Sequence, residues 1–298
     1  MMVPFTGLGL HDGFRGDVWF KNRIEIFKSY TLKSLMNQTN KNFVLWLTFR
    51  PEERDNPLTI DLYNYLRSLS KETHFIFNDK NLIFTYSGIC FWDDKYPKDK
   101  LINRLVATLP EMKEIVKGYD WVYQTIQPSD DMFIDTAVEQ IQSWGPEHKR
   151  ALVWKKGYII RIKNHQVAEY NPNTFPPFST IIFPTDEFID PTMHYCYIGP
   201  YKSHEYVKDC FNCVELDGRG FLVGVHGDNI STMWSTFRGE EFIDPEKESI
   251  LARFGLGHAK PIKVRRRRGR LIVRAVCNRL PEPIGKAVKR WYYNIINR

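Results

Sequence analysis

The sequence predicts an α/β protein: a doubly wound, mostly parallel sheet, a mixed α+β second half and a C-terminal basic helical tail. Three observations predict it. Strand-like and helix-like periods alternate through residues 1–145, as parallel β-α-β winding requires. Residues 146–258 shift to short β-branched runs separated by turn residues. Residues 259–298 are strongly basic and carry a helical apolar stripe.

The elements follow in order. Met2 to Phe5 reads as a short first strand. Gly7 to Gly16 is a glycine-rich loop whose spacing fits neither the dinucleotide nor the P-loop pattern. Trp19 to Asn37 has helical period through Ile24, Phe27, Leu32 and Leu35. Phe43-Val-Leu-Trp-Leu-Thr-Phe49 reads as a buried strand. A charged loop, Arg50 to Pro57, leads to a helix over Leu58–Leu69 and a strand over Thr73–Phe77. Leu82 to Trp92 is rich in strand formers, and Lys98 to Val116 is a helix with Leu101, Leu105, Leu109 and Met112 inward. Trp121 to Ile126 is a strand that must stop at Pro128, which cannot donate to a central ladder. Phe133, Ala137, Val138 and Ile141 then fall at helical spacing. In the second half, Ala151 to Tyr170 reads as a hairpin turning near Lys156-Gly157. Ser179 to Phe183 is a strand, Gly199 to Val207 opens a short helix, and Phe221 to Val225 is a strand entering a polar loop.

Composition narrows the classes. The chain has 298 residues, 43% hydrophobic and 14% aromatic, enough for a sizeable core. A mean hydropathy of -0.41 and the lack of a long apolar run argue against a membrane-spanning helix. Met1 to Gly7 has neither a basic start nor an apolar segment, so no signal peptide is expected. Five cysteines give no disulfide framework, and Cys210-Phe-Asn-Cys213 is a lone CxxC better read as ordinary thiols than as a metal or redox motif. A reducing, cytoplasmic location is the expectation. The net charge of +7 hides an asymmetry: residues 259–298 hold thirteen Lys or Arg against Glu282 alone, leaving −5 on the body.

Two stretches carry the chemistry. Asp130 and Asp131 follow a strand directly, where open α/β sheets place their ligands. Two adjacent carboxylates repel unless a cation lies near, and hard oxygens suit Mg²⁺ or Mn²⁺. The same residues also suit a polar turn with one Asp capping the next helix. His226-Gly-Asp-Asn-Ile-Ser-Thr232 ends another strand and brings an imidazole, a carboxylate, a carboxamide and two hydroxyls together. It reads either as the third side of a metal site or as a turn ending in a helix cap.

Arg23-Ile-Glu-Ile-Phe-Lys-Ser-Tyr-Thr-Leu-Lys-Ser-Leu-Met-Asn-Gln-Thr39, Phe43-Val-Leu-Trp-Leu47, Ser129-Asp130-Asp131 and the His226 stretch together resemble nucleotide-sugar glycosyltransferases of the type A (GT-A) fold. Within that class the chain resembles a bacterial rhamnosyltransferase family, over roughly residues 1–240. The resemblance implies a GT-A-like domain over 1–258, with a nucleotide-sugar half (1–145) and an acceptor half (146–258). It implies that Asp130, Asp131 and His226 hold Mn²⁺ or Mg²⁺ on the donor diphosphate. Asp130 and Arg104 would help hold the nucleotide, and Asp186 or Asp228 would take the acceptor proton. Pro128 stands where the family has its first Asp, so Asp130 would have to take that residue's part. An inactive binding domain of the same fold is the alternative that this departure leaves open.

In the tail, Arg265 to Arg270 precedes Ile284, Ala287, Val288, Trp291, Tyr292, Ile295 and Ile296, an apolar stripe flanked by Lys286, Lys289 and Arg290. Such a pattern fits an anionic membrane surface, bound through residues 260–298, where a glycan or lipid-linked acceptor is met. It also fits docking on the acidic body or an oligomer contact. A nucleic-acid partner is disfavoured, because the basic charge is confined to the tail.

Overall fold

The computed structural model describes residues 1–298 except 7–15, 70–71, 78–97, 199–203, 205–206, 228, 230–231, 236–237, 263–283, 285–287 and 289–298. The order begins β1 (Met2–Pro4), α1 (Asp17–Ile26), a π-helical turn (Phe27–Thr31) and α2 (Leu32–Met36). It continues β2 (Leu45–Phe49), α3 (Pro57–Ser68), β3 (Thr73–Phe77), α4 (Lys98–Val116), β4 (Trp121–Thr125), β5 (Met132–Phe133) and α5 (Ala137–Ser143). The second half holds β6 (Arg150–Val153), β7 (Lys156–Arg161), β8 (Gln166–Tyr170), β9 (Ser179–Pro184), α6 (Thr185–Ile189), α7 (Pro191–Ile198) and α8 (Val207–Cys210). β10 (Asn212–Glu215), β11 (Arg219–Val225), β12 (Arg238–Phe242) and α9 (Glu246–Arg253) complete it.

Strands β3, β2 and β1 pair in parallel. A parallel bridge from Met2 to Ile126, with the Gln127 N–H donating to the Met2 carbonyl at 2.9 Å, carries the sheet on to β4. Beyond β4 come β9, β6 and β10, the first two junctions antiparallel and the last parallel. The seven-strand order is thus β3-β2-β1-β4-β9-β6-β10; the parallel expectation holds for β1 to β4, whereas β5 pairs antiparallel with β11. A second sheet of order β12-β8-β7-β11-β5 packs beside it.

Side-chain alternation explains the double winding. Val3, Leu45, Leu47 and Phe49 face Phe20, Phe27, Leu35, Leu62 and Leu66 from α1 to α3. Met2, Trp46 and Ile76 point the other way, onto Leu109 and Met112 of α4 and Phe188 and Tyr197 of α6 and α7. Strands β1 and β2 are therefore buried on both faces, and Thr48 is the one polar side chain in them.

Two element readings are corrected. The turn near Lys156-Gly157 is no hairpin: β6 and β7 enter different sheets, and β7 pairs β8 around residues 162–165. Gly157 is instead where a Cβ would meet Phe221 at 2.4 Å, so the glycine admits close packing. The acidic pair also does not lead straight into a helix. Met132-Phe133 first pairs with Phe221-Leu222 of β11, and α5 starts at Ala137. The Leu82–Trp92 run and nearly all of the tail lie outside the described residues, although Ile284 and Val288 are helical. Among the described residues no helix is long and apolar enough to cross a membrane.

Candidate functional site

Strand order reverses between β1 and β4, so the chain winds away in both directions from their carboxyl ends. In open α/β sheets such a switch point is where a ligand crevice forms. The Asp130-Asp131 turn occupies it. Gln127, fully buried, donates its side-chain amide to the carbonyls of Pro128 at 3.1 Å and Asp131 at 2.7 Å. The Asp131 N–H returns to the Pro128 carbonyl at 3.2 Å. Pro128 thus heads a four-residue turn that presents both acids.

Strand β11 closes over this turn. The Gly224 N–H donates to Asp131 Oδ1 at 2.9 Å. A Cβ on Gly224 would sit 2.1 Å from the Asp130 carbonyl oxygen, so only glycine allows this approach. The polar loop after β11 is held by Asn229, which accepts from the His226 N–H at 2.9 Å and donates to the Gly224 carbonyl at 2.6 Å. That fixes His226, whose Nε2 lies 3.0 Å from Asp130 Oδ2.

The fourth member is Arg23. Its Nη1 stands 2.8 Å from the same Asp130 Oδ2, with only 7% of its side chain exposed. Arg23 opens the Arg23–Thr39 helical pattern, which by itself assigns it no role. The signal was present: Phe20, Arg23, Ile26, Phe27 and Tyr30 follow the buried stripe of the helix, and an arginine on such a stripe needs a partner. Burial alone would raise the Asp130 carboxyl; Arg23 and His226 together outweigh it and hold it below the usual carboxylate range. Asp131 goes the other way, pushed well up by burial and by the charge of Asp130. Tyr170, also missed, is raised by burial and by Asp131, and hydrogen-bonds Thr232 of the late loop.

Of the expected site residues, Asp130, Asp131 and His226 converge. Asp186 does not. Antiparallel pairing sets Pro184 against Trp121 and Thr180 against Thr125, so Asp186 lies beyond the amino end of β4, a strand length from the acids. Arg104 is in α4, but its side chain lies outside the described residues, as does Asp228 entirely. Cys210 and Cys213 are free thiols raised by burial, Cys213 to about 11, consistent with ordinary cysteines.

The donors do not fit the expected divalent ion. Asp130 Oδ2 already faces a guanidinium and an imidazole, with the Asn229 amide at 3.4 Å. Asp131 Oδ1 is turned to a backbone N–H. Among the described residues no three His, Cys, Asp or Glu side chains gather as a metal site needs.

No protein-family model matches the chain, and no curated protein sequence matches it. Solved structures align at low similarity. S. aureus TarS 1-349 is 13% identical, covering 99% of this chain and 89% of that one, with a TM-score of 0.37. TarS 1-349 in complex with UDP is 11% identical over 88% of this chain and 66% of that one (TM-score 0.35). The inositol-1-phosphate CTP transferase from T. maritima is 13% identical over 74% of this chain and 87% of that one (TM-score 0.35). At these TM-scores the functional reading rests on the chain's own residues.

Proposed function

We propose that the chain is a glycosyltransferase that moves a sugar, a hexosyl or deoxyhexosyl group, from a nucleotide-sugar donor to a glycan or lipid-linked acceptor. The observation that carries this is the convergence of Asp130, Asp131, His226 and Arg23 at the switch point between β1 and β4. Open α/β sheets bind nucleotides at the carboxyl ends of their strands at a switch point, and the acid turn lies there. The family resemblance of the Arg23–Thr39, Ser129–Asp131 and His226 stretches points to the same substrate class.

In this reading the residues divide the work. Sugar transfer breaks the bond from the anomeric carbon to the diphosphate, and negative charge grows on the leaving group. Arg23 and the imidazole of His226 supply positive or hydrogen-bonding character near that charge, in a site largely closed to water. The acceptor hydroxyl must lose a proton as it attacks. Asp228, the carboxylate of the His226–Thr232 stretch, is the candidate to take it. Asp131, with its raised affinity for a proton, orients β11 through Gly224 and tunes Asp130. The basic tail would hold the enzyme on an anionic membrane surface, where surface polysaccharide is built on lipid-linked acceptors.

The test is a thermal-shift and calorimetric screen of UDP-, dTDP- and GDP-sugars on the full chain. At least one should stabilise it. Asp131→Asn should weaken that binding by about tenfold or more, roughly 1.4 kcal/mol, while leaving the far-ultraviolet spectrum unchanged. Absence of stabilisation by every nucleotide and nucleotide sugar would reject the proposal.

A further inference from the structure

Two adjacent carboxylates at a sheet switch point ask for a cation, and the chain brings one of its own. We propose that Arg23 is the resident cation of this site, standing on Asp130 where a divalent ion would otherwise bind, so that nucleotide recognition here needs no metal. The inference rests on the nucleotide reading above only for its last clause.

Geometry carries it. Arg23 Nη1 and His226 Nε2 approach the same oxygen, Asp130 Oδ2, at 2.8 and 3.0 Å. A cation bound to that oxygen would be within van der Waals reach of a guanidinium that cannot lose its charge. Arg23 has nowhere else to go. It is 6% exposed on the inner stripe of α1, with the Trp19 ring 5.4 Å from its guanidinium carbon. Withdrawing it would leave a buried guanidinium without its carboxylate, a costly state. Asp131 Oδ1 receives the Gly224 N–H, and its turn is fixed by Gln127, so it does not turn toward Arg23 in place of Asp130. The formal charge of Asp130 is matched by Arg23, so the pair lacks the net −2 that draws a hard divalent ion.

Where the resembled family carries a further acid, this chain has Pro128, whose carbonyl serves only the turn. One fewer carboxylate and one built-in guanidinium act in the same direction.

The experiment is direct Mn²⁺ binding, read by electron paramagnetic resonance of the free ion, on the full chain, Arg23→Met and Arg23→Lys. The wild-type chain and Arg23→Lys should leave the signal of added Mn²⁺ unchanged. Arg23→Met, with two carboxylates uncompensated, should gain a site that Asp130→Asn in the same background removes. Mn²⁺ bound by the wild-type chain and lost in Asp130→Asn would overturn the proposal. So would a folded Arg23→Met that binds no ion. If Arg23→Met fails to fold, wild type against Arg23→Lys decides: metal bound by either rejects the inference. Nucleotide binding is measured separately in EDTA. If nucleotides bind only when Mn²⁺ is restored, the metal-free clause is lost; if they bind under neither condition, the nucleotide reading fails while the metal measurement still stands.

Discussion

At the residue scale the chemistry depends on how each charge is matched. Asp130 and Asp131 are neighbours in sequence and opposites in environment: one faces Arg23 and His226, the other a backbone N–H and its own neighbour's charge. A third buried acid, Glu53, sits near the carboxyl ends of β1 and β2. It is 1% exposed, accepts from the Thr6 hydroxyl and receives the Arg50 N–H at 3.0 Å. Burial pushes it from 4.5 up to about 7, against the pull of Thr6 and Arg50. A raised acid binds its proton more tightly in the folded state. Its contribution is therefore complete below the unfolded value of 4.5 and is lost as pH rises through about 7. Wild-type stability should fall relative to Glu53→Gln by on the order of 3 kcal/mol between roughly pH 4 and pH 8, measured by urea unfolding at each pH. A pH-independent difference between the two would contradict this. Gly224→Ala should cost more than about 2 kcal/mol and disturb the acid turn, since its methyl group meets a carbonyl oxygen. A near-neutral thermal melt for that variant would show that the strand can move away.

At the element scale one side chain joins the first helix to the acid turn. Gln38, 1% exposed just past α2, donates to the Ile134 carbonyl at 2.7 Å and the Ser34 carbonyl at 3.1 Å. Its oxygen accepts the Val138 N–H at 3.0 Å, a free donor in the first turn of α5. The Thr39 N–H adds a 2.7 Å bond to the Asp135 carbonyl. The Gln-Thr pair quoted from the sequence thus works as a clamp between α2 and the segment following Asp131. Gln38→Leu keeps the volume and strands those buried groups. It should cost about 1–3 kcal/mol in chemical unfolding and loosen amide protection at Val138. Unchanged exchange at Val138 would reject the clamp.

At the scale of the whole molecule, the last described residues before the basic tail are tied to the core. The Ile262 N–H donates to the Ile162 carbonyl at 3.2 Å, and the Ile162 N–H to Val225, the residue before His226. The buried Tyr30 hydroxyl in the π-helical turn lies 2.6 Å from His165 Nε2 and 3.2 Å from the Lys260 carbonyl. The basic tail therefore sets out beside the strand end that carries the late loop. Deleting residues 263–298 leaves these contacts in place and should abolish sedimentation with anionic phospholipid vesicles while preserving the melt of the body. Equal sedimentation of the shortened chain would remove the membrane role.

The parallel pairing of β1 to β3 was legible in the chain, because apolar-rich strands separated by helical periods bury both faces in such a sheet. So was the place of Asp130 and Asp131 at a strand end, since Pro128 must stop the ladder there. The Lys156-Gly157 turn was not legible, because periodicity cannot tell which sheet a strand joins, nor was the place of Asp186, because register decides which end of a strand a residue occupies. What answers the acidic pair was not legible in the chain and is set by packing. Residues 23, 130 and 226 are far apart in the chain, and their meeting at one oxygen depends on how α1, β4 and β11 pack. Local sequence records that a charge needs a partner; the fold chooses the partner, because the low polarity of a buried site makes the nearest opposite charge decisive.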